Sequence, residues 1–227
     1  MIVNDDSHDQ EARGPPLSRA LQARTAELHT HAERTGIVND ILRGQATRRG
    51  YALFLRNLVP AYETMEQGLE RHRASPGVGR FARREIYRCG ALYADLAALA
   101  GDDWMRTIRL LPSGRQYAAR IAEAARGDGS RLIAHAYARY LGDLSGGQVL
   151  RRLLGRSLGL ADTSLSFYLF PKIADHDAFK AEFRTALDRA GGEVTEPDAV
   201  IEEGAVAFEL NIDVSNAVRA AETLAQL

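Results

Sequence analysis

The chain has 227 residues, with 29 basic and 30 acidic side chains, a formal net charge of −1 and 45% hydrophobic residues. The hydrophobic fraction excludes a disordered chain, and the balanced charge argues against a general nucleic-acid binder. The single cysteine, Cys89, excludes an intramolecular disulfide and a zinc ribbon, and we expect it to be a small core thiol.

Residues 1–16 are polar and acidic, and we predict a flexible N-terminal tail there. They lack the basic start and the apolar run of a signal peptide. No apolar stretch elsewhere approaches the roughly 20 residues that a helix needs to cross a bilayer. We therefore expect no membrane anchor and predict a cytoplasmic protein.

Helical signals dominate residues 17–227. Ser18 and Thr47 are the predicted N-caps of the first two helices, and Pro60 is predicted to break or bend the second. Residues 167–171 are the one β-like patch. The predicted helices cover residues 17–35, 48–72, 78–100, 115–126, 131–158, 175–190 and 196–224. Because helices with short connections are typical of a bundle, we predict a single all-α domain over 17–227.

Three short motifs match known nucleotide-binding or metal-binding proteins, but the sequence lacks the other features that each of those sites requires. Residues 144–148 read LSGGQ, as in ABC-transporter ATPases, but neither lysine of the chain follows a glycine, so no phosphate-binding loop exists. Residues 77–82 match GxGxxA, but no predicted strand precedes them, which excludes a dinucleotide site. A di-iron carboxylate bundle needs two Glu-x-x-His pairs, and the chain has none.

His29 and Glu33 lie four residues apart on the first predicted helix, so their side chains are neighbours. A carboxylate at this offset can accept a hydrogen bond from one imidazole nitrogen and leave the other free to bind a metal. A histidine at the margin of an apolar stripe is also often structural. Spacing alone leaves both interpretations open.

Residues 137–148 form the second informative stretch, with Gly142, Gly146 and Gly147 inside a predicted helix. Each costs about 1 kcal/mol relative to alanine, so a function or a packing constraint should explain them. On an ideal helix Arg139, Asp143 and two of these glycines share one side, opposite Tyr137. That side predicts a patch without side chains, next to a carboxylate, where a flat ligand can approach the backbone. A kink or a close helix contact is the alternative.

Six blocks of sequence, in this order along the chain, closely resemble the haem oxygenase family over about residues 17–218. The blocks are residues 29–33, 43–47, 135–148, 167–171, 179–184 and 207–212. The resemblance implies haem b held between a proximal helix and a glycine-kinked distal helix. It also implies O2-dependent cleavage of haem to biliverdin, CO and Fe2+, with electrons from a donor such as ferredoxin or a flavin reductase. We expect a monomer.

The resemblance assigns roles to residues on both sides of the haem. His29 matches the axial ligand of the iron, with Glu33 as its hydrogen-bond partner. Gly142 and Gly146 match the distal backbone beside the haem. Asp143 matches the distal aspartate that orders water for proton delivery, and the four-residue spacing allows Arg139 to hold Asp143 by an ion pair.

Other matches concern the propionates and the pocket walls. Lys180, Arg184 and Tyr137 match propionate-side contacts, and Phe208 and Asn211 match pocket positions. Only two of the 29 basic residues are lysines, which makes Lys180 informative. The family usually has a basic residue where this chain has Gln22, on the same helix face as His29. The missing cation weakens one propionate contact and bears on the ring position cleaved, for which we predict α-meso.

Two other functions fit the sequence less well. A non-catalytic haem-binding or carrier protein on the same fold would have no evident use for the glycine and aspartate pattern of residues 142–147. A thiamin-degrading enzyme of similar helical architecture would need a cysteine nucleophile, and Cys89 lies in no recognisable site for one.

Overall fold

The computed structural model describes residues 14–224, so the predicted tail lies outside the described residues except for 14–16. Every regular element in this range is helical, which confirms the all-α prediction. The α-helices are α1 (Leu17–Arg34), α2 (Gly36–Leu42), α3 (Arg48–Arg71), α4 (Cys89–Ala100), α5 (Trp104–Thr107), α6 (Pro112–Ala124), α7 (Leu132–Ala136), α8 (Gly142–Leu158), α9 (His176–Gly191) and α10 (Pro197–Leu224). A π-helical segment, Tyr137–Leu141, joins α7 to α8.

The hydrophobic core forms around α3, which packs against α4, α6 and α10. Its fully buried side chains include Tyr51, Leu55, Leu58 and Tyr62. Helix α10 packs along α1 and also contacts α2, α6 and α7. In contrast, α1 buries only its N-terminal half, so the half that carries His29 lies at the surface. No helix of residues 14–224 has both the length and the apolar character to span a bilayer.

The two predicted N-caps have different outcomes. Thr47 caps α3, because its Oγ1 accepts the backbone N–H of Gly50 at 2.8 Å; such a cap contributes about 1 kcal/mol. The prediction for Ser18 is wrong, since α1 begins at Leu17 and the Ser18 backbone N–H donates to Asp188 instead, at 2.9 Å. At Pro60 a break or a bend was predicted; the helix does not break there, because α3 continues through it.

The predicted helix over 78–100 is wrong in its first half. Residues Val78–Phe81 and Arg84–Ile86 form two 3₁₀ turns, and α4 begins only at Cys89. Here the chain reverses direction just after α3, so closely that a Cβ on Gly79 would lie 2.2 Å from the carbonyl oxygen of Arg73. The β-like patch is wrong as well, because Ser166–Tyr168 is a 3₁₀ turn.

Candidate active site

The three glycines of the long motif have two different environments. A Cβ added to Gly142 or Gly146 would meet no heavy atom within 4 Å, so this side of α8 faces open space. A Cβ on Gly147 would lie 2.8 Å from Cδ1 of Tyr168, so this glycine allows close packing. Close packing therefore explains Gly147, whereas Gly142 and Gly146 lie on an open face of α8.

Asp143 lies beside the open side of α8, but its carboxylate is buried and only 5% of the residue is exposed. It accepts a hydrogen bond from the Tyr62 hydroxyl on α3 and one from Arg139 Nη2 at 3.1 Å. Arg139 Nε also donates to the Tyr62 oxygen at 2.8 Å. The structure thus contains the Arg139–Asp143 pair and adds a tyrosine that links both residues.

The network continues through Arg139 to two further helices. Arg139 Nη1 donates to Asn211 Oδ1 on α10 at 2.5 Å, and Asn211 Nδ2 donates to the Tyr117 hydroxyl on α6 at 3.0 Å. Asn211 was expected near the haem pocket, and it lies in this network. Sequence reasoning missed Tyr62 and Tyr117, because a buried tyrosine has the same helical periodicity as any core aromatic residue.

Burial controls the protonation of this network. Burial raises the pKa of the Asp143 carboxyl above its usual range, while the charge of Arg139 and the hydrogen bond from Tyr62 act in the opposite direction. Burial also raises the pKa of the Tyr62 hydroxyl well above its usual range. Tyr62 therefore stays a hydrogen-bond donor to Asp143 at neutral pH.

His29 lies on the exposed half of α1, with 58% of its side chain accessible. Its Nδ1 is 3.7 Å from Glu33 Oε1, which is longer than a hydrogen bond, so the hydrogen bond expected from the spacing is not formed. The ring of Phe208 on α10 lies 5.9 Å from the imidazole. Within residues 14–224, no group of three or more histidine, cysteine and acidic side chains could hold a metal.

The π segment connects the glycine helix to α1. On an ideal helix Tyr137 would lie opposite the glycines, but a π segment changes the register by one residue. The Tyr137 hydroxyl lies 3.4 Å from Thr25 Oγ1, one helical turn before His29. Helix α10 provides a second connection, because Phe208 and Asn211, three residues apart, contact His29 and Arg139 respectively.

A family model described as "Heme oxygenase" matches residues 15–217. The chain belongs to the haem oxygenase family. It is 37% identical to human "Heme oxygenase 1" over 87% of this chain and 70% of the human protein. It is 35% identical to "Heme oxygenase 1" of Nostoc sp. over 86% of this chain and 83% of that protein.

Solved structures of the family also match. The crystal structure of heme oxygenase-1 from the cyanobacterium Synechocystis sp., in complex with heme, matches with a TM-score of 0.87 and 29% identity, over 93% of this chain and 96% of that chain. The heme oxygenase of Leptospira interrogans matches with a TM-score of 0.84 and 32% identity, over 89% and 100% of the two chains. The fold of this family member is therefore that of the haem oxygenases.

The residues of this family member fit a haem. The open side at Gly142 and Gly146 suits a flat ring, and the exposed imidazole of His29 can supply the protein ligand that a porphyrin iron lacks. The other histidine in the motif region is not available: His135 is fully buried, and its Nε2 lies 2.8 Å from Glu203 Oε1. His135 is therefore a packing residue.

The cations matched to the haem propionates lie on α9. Lys180 Nζ is 2.6 Å from Asp177 Oδ1, and Arg184 is exposed one turn further along. Gln22 is exposed on α1, two turns before His29, while nearby Arg24 is paired with Glu202 at 2.9 Å. Of these two α9 cations, Arg184 is therefore the more available to a propionate, because Lys180 already forms an ion pair with Asp177.

Cys89 does not form the site of a thiamin-degrading nucleophile. It is half-buried against the hydrophobic core. Burial, reinforced by the neighbouring carboxylate of Glu66, raises the pKa of its thiol far above the usual range. Because the thiolate is the reactive form of cysteine, this side chain is a structural thiol in the haem oxygenase fold.

Proposed function

We propose that this chain, as a haem oxygenase, cleaves haem b to biliverdin, CO and Fe2+, with His29 as the iron ligand and Asp143 as the group that controls protons on the opposite side. One observation carries the assignment of these roles: an open, side-chain-free strip at Gly142 and Gly146 is backed by the buried Tyr62–Arg139–Asp143 network. Haem, when bound, supplies the iron that activates O2 and the ring carbon that is oxidised.

The absence of side chains on the open strip determines how protons reach it. No imidazole points from the strip, because residues 142–147 contain no histidine and His135 is turned to Glu203. Asp143 acts instead through water that it orders beside the backbone of Gly142. Water is a weaker acid than an imidazolium and delivers the proton with less directional control. A weaker proton donor favours oxidation of the ring over cleavage of the oxygen–oxygen bond.

Arg139 and Tyr62 position Asp143 for this role. A carboxylate held by an arginine and a tyrosine has a fixed orientation, and the buried positive charge of Arg139 opposes its protonation. A protein that only carries haem would gain nothing from five linked polar side chains on five different segments. The network therefore favours turnover over the carrier alternative.

Turnover of the purified protein tests the function directly. With haem, O2 and ascorbate, we expect the haem absorption to decay and a biliverdin spectrum to appear. An anaerobic sample provides the control and should keep its haem spectrum. If haem binds but no biliverdin forms aerobically with ascorbate or with a reductase, the carrier alternative replaces this proposal.

We infer that the electron donor docks on exposed arginines near the C-terminal half of α8. Arg43, Arg152 and Arg156 are exposed, and the turn at Gly44 lies against α8 at Ser157. Ferredoxins and flavin reductases are acidic near their cofactors, so these charges would steer either one. In the same turnover assay, the rate with a protein donor should fall severalfold between about 20 and 300 mM salt, while the ascorbate rate stays unchanged.

The propionate contacts determine the orientation of the haem and hence the ring position cleaved. We expect α-biliverdin from the wild-type protein and a mixture of isomers from Arg184→Ala, because Arg184 is the freer cation on α9. Gln22→Lys should keep the α isomer and tighten haem binding about two- to fivefold, as for a single exposed ion pair. Chromatography of the product identifies the biliverdin isomer. The β or δ isomer from the wild type would contradict this assignment.

A further inference from the structure

A second polar cluster lies behind the site, where α4 contacts the 3₁₀ turn at residues 166–168. Asp95 of α4 is completely buried. Its Oδ1 accepts the backbone N–H of Ser166, and its Oδ2 accepts that of Phe167, both at 2.8 Å. The Ser166 hydroxyl donates to the same carboxylate. One buried anion therefore binds the N–H groups that open this turn.

One buried cation binds the carbonyl groups of the same turn. Arg88, two helical turns before Asp95 and on the same side of the chain, is 5% exposed. Its Nη1 donates to the carbonyl oxygens of Phe167, at 3.4 Å, and of Leu169. Its guanidinium lies 4.0 Å above the ring of Phe170. Within residues 14–224 Arg88 makes no direct ion pair, so backbone carbonyls and an aromatic face are its main partners.

The turn held in this way contacts the active-site network from behind. The ring of Phe167 meets the ring of Tyr62 edge-on, with centroids 5.5 Å apart. The ring of Tyr168 occupies the space beside Gly147, and Gln148 Nε2 donates to the Tyr168 carbonyl at 2.7 Å. The turn therefore touches both the tyrosine that donates to Asp143 and the helix that carries Asp143.

We propose that Arg88 and Asp95 are positioning residues, which fix the turn at residues 166–169 and thereby aim the Tyr62 hydroxyl at Asp143. The inference rests on the proposed role of Asp143. Neither side chain is hydrogen-bonded to the Tyr62–Arg139–Asp143–Asn211–Tyr117 network, and both hold the turn. The charge of Arg88 also acts on Asp143 directly, where it lowers the pKa of the carboxyl. With the turn displaced, Phe167 no longer supports the Tyr62 ring, and small displacements of positioning groups are costly in catalysis.

We call Arg88, Asp95 and the turn that they hold the clamp. Three variants disturb it at different points. Asp95→Asn keeps the shape but places an amide N–H2 against a backbone N–H donor. Arg88→Met removes the cation, and Phe167→Leu keeps both charges but removes the edge contact with Tyr62. Leu187→Ala, in the core at α9, is the matched control for general destabilisation. Ser166→Ala removes a single hydroxyl donor and provides a milder variant where Asp95→Asn fails to fold.

Four measurements, taken together, separate positioning from stability. The pH midpoint of the haem absorption spectrum reports the hydrogen bonds on the Asp143 side. We expect the clamp variants to shift it by about half a unit or more, in the same direction as Asp143→Asn. The turnover rate at saturating reductant should fall about tenfold, with the haem dissociation constant within about twofold of wild type. In the haem-free protein, hydrogen exchange at the Ser166 and Phe167 amides should accelerate.

The outcomes distinguish this inference from the proposed function. If Asp143→Asn shifts the pH midpoint but all clamp variants behave like Leu187→Ala, losing only thermal stability, Arg88 and Asp95 are structural and the inference is wrong. If Asp143→Asn itself leaves the midpoint and the turnover rate unchanged, the proposed role of Asp143 fails, and the clamp has nothing to position. A shift in Phe167→Leu that matches Asp95→Asn supports the route through the turn.

Discussion

Replacing Asp143 with alanine is expected to lower biliverdin formation by about 10²-fold or more while haem still binds. The carboxylate orders the water that delivers protons, and such positioned acid–base groups typically contribute about 10²–10⁴-fold. Without it, the haem-loaded protein should use added peroxide in a peroxidase-like reaction, measured as oxidation of guaiacol. Single-turnover spectra with ascorbate measure the biliverdin yield, and a haem titration measures binding.

Asp143→Ala also leaves the buried guanidinium of Arg139 without its carboxylate partner, which costs about 3–5 kcal/mol when a buried pair is broken. Thermal unfolding must therefore be measured on the same samples. Tyr62→Phe is the matched control, because it removes one hydrogen bond to Asp143 and keeps the charge pair; we expect an intermediate yield. Full biliverdin yield from a folded Asp143→Ala protein would show that the carboxylate has no part in proton delivery.

Replacing His29 with alanine is expected to remove the histidine signature from the ferric haem spectrum and to weaken haem binding by about 10-fold or more. The other contacts that we assign to haem are to its faces and propionates, so they cannot replace a bond to the iron. Added imidazole should enter the space left by the side chain and restore the spectrum in part. Absorption and electron paramagnetic resonance spectra measure both effects.

His31→Ala is the matched control for His29→Ala, since both histidines are exposed on α1. Two residues further along the helix, His31 points about 200° around the axis from His29. We expect it to keep the wild-type spectrum and affinity. If His29→Ala leaves the ferric spectrum unchanged, the axial assignment is wrong, and a change in His31→Ala instead would identify the ligand.

Local signals predicted the helices well where they coincide with tertiary packing. Thr47 caps α3 as its sequence context predicts, and the glycine motif lies within the helical stretch formed by α7, the π segment and α8. The four-residue spacing of Arg139 and Asp143 was enough to anticipate their ion pair. These features depend on residues close in sequence, so a single sequence contains the necessary information.

The features that sequence reasoning missed depend on distant contacts. Helix α2 begins at Gly36, which has a φ of +60° and sits so close to Ser215 that a Cβ would lie 2.4 Å from it. No sequence pattern near Gly36 predicts that contact. Tyr62 and Tyr117 join the polar network through partners 81 and 94 residues away. Their periodicity identifies them as core residues, and only the fold supplies their hydroxyl partners.

The π segment makes the relative rotation of α7 and α8 depend on the number of residues between them. It inserts one residue more than a continuous α-helix needs between Ala136 and Gly142. One residue corresponds to about 100° of rotation. Deleting any residue of 137–141 would therefore turn the face of α7, where His135 meets Glu203, away from its present alignment with the glycines of α8. Insertions and deletions here should be as damaging as loss of Asp143 itself, even when every named side chain is kept.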